Sequence, residues 1–382
     1  MRVETKLFSD SSEIKAFSNS FLGEKADLVF YFGNREQLSE GHVYKFLQET
    51  YPHSIVLGCS TGGEIAFDEV HEGSVVSLAI DFEKTEIKQA SIKISKPDDS
   101  YNAGKDIGKR LHARDLKGIF VLSDGLCVNG SDLVKGINAE IGKNIPIMGG
   151  LAGDGKNFNK TLVGASKEPE EHQIAAIGFY GPHIRFGHGS SGGWDIFGPE
   201  RLITKSHGNV LYEVDGKPFL DVYKAYLGKL SDNLPWSALL FPLTVWPKGN
   251  KEAAIVRTVL SLDEKEKSMT FAGDVPEGYT AQLMRGYMPR LIEGASHAAE
   301  MAGAGISNSG DDSVAILISC IGRRLLLGQR SIEEVEGVKK ALDKDNCHRV
   351  GFYSYGEICP HSVTGTVELH NQTMTVTTFC EV

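Results

Sequence analysis

The chain has 382 residues, 41% of them hydrophobic and 24% charged, which makes it an ordinary globular protein with room for two packed cores and excludes disorder as its default state. Its formal charge of −10 comes without any basic block, so nucleic acid is not an expected partner, since phosphate neutralisation needs clustered Lys and Arg. The opening MRVETKLFSD lacks an apolar signal region and no run reaches the roughly 18 apolar residues of a membrane span, so a soluble, cytoplasmic protein without membrane insertion is expected.

Residues 27 to 32 (DLVFYF) read as a buried strand, and the helix after it carries Leu38, Val43, Phe46 and Leu47 on one face until Pro52 breaks it. A second strand, SIVLG, a glycine turn and a third strand at 74 to 82 follow. The same order returns with GIFVLS (118 to 123), a helix opened by Ser131, IPIMGGLAGDG and IAAIGFY. It returns again with SVAILISC (313 to 320), a helix with a capping box from Ser331 to Glu334, RVGFYSYGEI and a β run to the C-terminus. The pattern predicts an α/β or α+β fold of layered sheets and helices built from a thrice-used β-α-β-β unit. Two domains are expected, 1–215 and 216–382, divided at the polar stretch EVDGKP, and the second should hold a hairpin in which 253 to 262 and 268 to 273 flank the turn DEKEK. The six cysteines have no paired spacing, which favours reduced, partly buried thiols over a disulfide framework.

The run LGCSTGGEI contains G-x-S-x-G, a pattern that holds a serine nucleophile in α/β hydrolases. The repeat argues against that role for Ser60. GCSTGGEI and GFYSYGEI share Gly58 with Gly351, Gly63 with Gly356 and Glu64 with Glu357, but Tyr353 stands where Ser60 stands, and Leu151 replaces it in the middle unit. The turn recurs and the nucleophile does not. Phosphate cradling is also disfavoured, because the spacing of a phosphate loop is absent and Glu64 and Asp154 would repel an anion. The glycines are expected to permit tight turns and close backbone approach, at strand ends of the kind that often line pockets.

GCSTGGEI and GGLAGDG resemble the FIST N-terminal domain. KPFLDVYKAYLG (217 to 228), FAGDVPEG (271 to 278), SCIGRR (319 to 324), GFYSYGEI and ELHNQT (368 to 373) resemble the FIST C-terminal domain, and the likeness runs from about residue 26 to the end. The resemblance implies a signal-input module for a small ligand such as an amino acid, or, in the NosP-type branch, a haem-based nitric oxide sensor regulating a histidine kinase in a two-component system. No output segment follows, so the signal is expected to pass to another protein.

On that reading Arg323 could grip a carboxylate bidentately, whether an amino acid's or a haem propionate's, or could be a strand-end charge. Glu357 and Asp154 could meet an amine or hold a backbone turn, and Gly58, Gly150 and Tyr353 would complete the ligand-binding set. Haem needs an axial ligand, and covalent attachment is excluded because C-x-x-C-H is absent. His370, in the ELHNQT motif, is the first candidate, with His361 and Cys359 (before Pro360) as alternatives; a structural, hydrogen-bonded His370 is the competing reading. Spacing argues against zinc among Cys347, His348, Cys359, His361 and His370. No catalytic residue is expected.

Overall fold

The apolar runs predicted as buried strands, Leu28–Gly33, Leu116–Ser123 and Ser313–Cys320, each occupy the middle of a separate sheet. They are apolar almost throughout because each sheet is covered on both faces. The computed structural model describes residues 1–17, 20–40, 42–306, 312–343 and 346–382. From each central strand the chain crosses through helix to a parallel neighbour: Ile55–Ser60, Ile147–Leu151 and Cys347–Ser354. It later returns as an antiparallel closing strand on the other side: Val75–Asp81, Gln173–Tyr180 and Met374–Glu381. The predicted unit is therefore present three times. Each copy also has an opening strand that the sequence pattern did not include: Arg2–Phe8, Glu86–Lys93 and Ile184–Ser191.

The units interlock by lending strands. Glu64–Ala66 of the first pairs with Cys347–Ser354 of the third, Gly356–Pro360 of the third with Ile147–Leu151 of the second, and Val163–Ala165 of the second with Ile55–Ser60 of the first. The exchange closes on itself, so every sheet is completed by another unit. The inner faces share one core: Phe30 lies 5.0 Å from Phe120 of the second unit and Phe32 lies 4.7 Å from Phe352 of the third, measured between ring centroids. Burying such rings is worth about 2–3 kcal/mol each, which couples the three units energetically.

Residues 194–286 form an inserted domain between the opening strand of the third unit and the helix Met288–Gly303. Its separate core includes Ile203, Leu211, Phe219, Tyr223, Met269 and Phe271. Packing therefore divides the chain at two crossings, while Asp215, near the expected division, lies in a tight turn with φ 50° inside the inserted sheet. The expected hairpin forms between Val259–Asp263 and Ser268–Phe271. Its first arm is broken at Thr258, because Ile255–Arg257 pairs instead with Leu243–Trp246. Among the described residues no helix is long and apolar enough to cross a membrane.

Candidate functional site: a cavity between core and inserted domain

The glycine turns sit where the three units meet. A Cβ on Gly58 would come within 2.2 Å of the Tyr31 carbonyl oxygen, on Gly149 within 1.9 Å of that of Val121, and on Gly351 within 1.8 Å of that of Leu317, so the recurring glycine serves close strand approach. Two residues past the Ser60, Leu151 and Tyr353 positions, backbone N–H groups close a ring: Gly62 donates to Tyr353 O (2.7 Å), Gly153 to Ser60 O (2.9 Å) and Tyr355 to Leu151 O (3.2 Å). The Ser60 hydroxyl is buried and accepts from the Leu162 N–H at 2.9 Å.

The two glutamates of the repeat hold equivalent corners. Glu64 accepts from Thr61 and from the Ser74 hydroxyl (2.7 Å), and Glu357 accepts from the hydroxyls of Ser354 (2.7 Å) and Thr373 (2.9 Å). Burial raises both carboxyls, Glu357 to about 8. Asp154 accepts backbone N–H bonds from Phe158 (2.9 Å), Asn159 (3.0 Å) and Lys160 (2.9 Å) and the Tyr355 hydroxyl, fixing the strap at 155 to 158. Gly150 lies within its sheet opposite Glu357. Each of these groups secures a turn or strand contact, and Glu64 and Asp154 also line the polar cleft described below.

Arg323 is fully buried and reaches no open cavity. Its guanidinium donates to Glu334 Oε2 (2.9 Å), Gly192 O (2.6 Å) and Leu291 O (2.6 Å), clamping both stems of the insertion. Glu334 also accepts from Ser319 and from Tyr353, each at 3.0 Å. The expected capping box is therefore absent: Glu334 turns inward to the arginine, and no side chain caps Ser331–Ala341. Likewise Asn129, and not Ser131, caps the helix Gly130–Ile141.

The expected iron ligands are already partnered. His361 accepts at Nδ1 from the N–H groups of Val363 and Thr364 and therefore donates from Nε2 to Ala254 O at 3.1 Å. His370 donates from Nε2 to Cys359 O at 3.0 Å, and burial lowers its imidazole to about 3. Cys359 is fully buried, its thiol pushed up by desolvation. The bond at Nε2 fixes the His370 tautomer and leaves Nδ1 as its acceptor nitrogen; His370, His361 and Cys359 line neither of the two large clefts described below. None of the six cysteines is in a disulfide, and among the described residues no group of three His, Cys, Asp or Glu is placed to hold a metal ion.

The cavity with ligand character lies elsewhere. It has a volume of about 630 Å³ and is walled by the strap with Cys127 and Leu151, by Cys320, Ile321 and Tyr355 of the third unit, and by Trp236, Leu260 and Phe271 of the insertion. Phe158 stacks on Tyr355 at 4.5 Å and 14°, giving a flat wall. Trp236 is 59% exposed and Leu260 47%, an apolar rim open to solvent. Burial raises the thiols of Cys127 and Cys320, the latter to about 12, so both stay protonated near neutrality. Of the sequence-predicted site residues none lines this cavity. Tyr355 belongs to the recurring GFYSYGEI run, whereas Trp236 and Phe158 carry no local signal. A second, polar cleft of about 940 Å³ is lined by Arg35, Glu64, Glu72, Asp154 and Arg324.

Residues 27–217 match the FIST N domain and residues 220–360 the FIST C domain. The chain is 25% identical over 398 aligned positions to an uncharacterized protein of Methanocaldococcus jannaschii, covering 91% of this chain and 72% of that one. A solved cyanuric acid hydrolase from A. caulinodans aligns with 99% of each chain, but at 8% identity and a TM-score of 0.40 the likeness is too low to carry an argument. The two domain matches together span most of the sequence, and the chain belongs to the FIST family of signal-input sensor domains that bind small ligands.

Proposed function

We propose that this chain is a cytoplasmic sensor whose small ligand binds between the core and the inserted domain, and whose output is read by a separate signalling protein such as a histidine kinase. The observation that carries the reading is the cavity of about 630 Å³ with walls from both bodies. It falls in the size range of small-molecule sites, roughly 300–1,000 Å³, and at a domain boundary where such sites concentrate. A ligand that bridges both walls binds the closed arrangement better than the open one and shifts the population between them. The helix Ile321–Leu327 supplies the coupling: Ile321, Gly322 and Leu325 line the cavity, while Arg323 holds the stem carbonyls of Gly192 and Leu291. No hydrolytic step belongs to this proposal, since the Ser60 hydroxyl is committed to Leu162. Haem ligation through His370, His361 or Cys359 is not part of it either, because those side chains lie outside the cavity.

The reading is tested by ligand-induced thermal shifts on wild type and on Ala272→Phe, which fills the cavity from the inserted domain. Ligands that raise the melting temperature of the wild type should leave that of the folded variant unchanged. Equal shifts in both proteins would move the ligand out of this cavity.

A further inference from the structure

The chemistry of the walls restricts the ligand further, an inference that rests on the cavity being the binding site. Phe158, Tyr355, Trp236 and Phe271 offer aromatic surface, and Leu126 and Leu260 extend it at the rim. Such a lining favours a planar apolar body through offset and edge contacts.

The polar groups give a sign. Among the described residues Lys156, on the exposed strap between this cavity and the polar cleft, is the one Lys, Arg, Asp or Glu lining the cavity, and it has no carboxylate within ion-pair distance. The nearby acids are engaged elsewhere: Asp154 by the backbone of the strap and the Tyr355 hydroxyl, Asp274 by Lys135 (2.7 Å) and Asn129 (3.4 Å). The lining amides are engaged too, Asn209 donating to Phe271 O at 2.8 Å and Asn157 to Asp154 O at 2.9 Å. Thr258, at the break between two inserted strands, lines the cavity with a buried hydroxyl that has no partner. A ligand ammonium would leave water and meet no anion here, whereas a carboxylate at the rim would meet Lys156.

We infer that the cavity takes an aromatic monocarboxylate that carries no amino group, its ring among Phe158, Tyr355 and Trp236 and its carboxylate at Lys156. A free amino acid shares the carboxylate but adds an ammonium that the lining leaves unpaired.

Calorimetric titration of the full chain with indole-3-acetate, indole-3-acetamide and tryptamine separates the charges on one ring. The carboxylate should bind about tenfold more tightly than the amine. Lys156→Gln should weaken the carboxylate about threefold while leaving the amide unchanged, and this loss should fade at high salt. Ala272→Phe should abolish binding of the carboxylate and the amide alike, with Leu126→Trp at the rim as a second block in case the first fails to fold. Amine binding as tight as the carboxylate's, or an unchanged carboxylate-to-amide ratio in Lys156→Gln, overturns the ligand class while the blocked variants still identify the cavity. Binding that survives both blocks overturns the cavity reading itself. Absence of binding by all three indoles overturns the aromatic assignment.

Discussion

Individual side chains in this molecule change meaning with burial. Ser60 lies in a hydrolase-like motif, yet its hydroxyl satisfies the Leu162 N–H inside the strand exchange. Ser60→Ala strands that buried donor and should cost about 1–3 kcal/mol of stability in denaturant titration, with affinity for cavity ligands retained. Covalent capture of Ser60 by a fluorophosphonate would contradict this role. Glu357 is a second case. Its carboxyl is raised to about 8 from an ordinary 4.5, so the folded state holds the proton more tightly than the unfolded chain. Its contribution is therefore fully favourable below pH 4.5 and declines as pH rises through about 8. Glu357→Gln should flatten the fall of stability over that window, as measured by chemical denaturation at a series of pH values. An unchanged slope would show that the carboxyl titrates normally. His370, the expected iron ligand, is buried, donates from Nε2 to Cys359 O and lies outside the cavity. His370→Ala should therefore lower stability without altering the visible spectrum of protein mixed with haem.

Among the elements, the three buried strands were legible because an unbroken apolar run has few alternatives once turns bound it. The glycine at each parallel strand was equally legible, since its partner carbonyl recurs with the unit. Gly351→Ala would place a Cβ 1.8 Å from Leu317 O and should prevent folding or cost about 3 kcal/mol or more, read from soluble yield and melting temperature. The helix at Ser331 was legible as a helix, but its cap was not. The S-x-x-E spacing is the same whether Glu334 reaches back to the terminus or inward to Arg323, and only the buried arginine decides between them. The helix carrying that arginine ties the cavity to the stems. Arg323→Met leaves Glu334 buried without its partner and should cost about 3–5 kcal/mol. Double substitution with Glu334→Leu should recover part of that loss.

Across the whole molecule, strand exchange makes each sheet depend on two units, an interlocking that composition does not display. Gly192 and Leu291 flank the insertion far apart in sequence, and Arg323 binds the carbonyls of both where the two stems pack together. The cavity was hidden for the same reason: Leu126, Phe158, Trp236, Thr258 and Ile321 come from separate stretches that no local pattern joins. Hydrogen–deuterium exchange with and without saturating indole-3-acetate tests the central claim, that ligand sits between core and insertion, most directly. The account predicts slowed exchange within residues 125–129, 156–158, 235–239 and 320–322, segments that wall the cavity from both bodies. Protection confined to 34–36 and 328–332 around the polar cleft, or no protection anywhere, would contradict it.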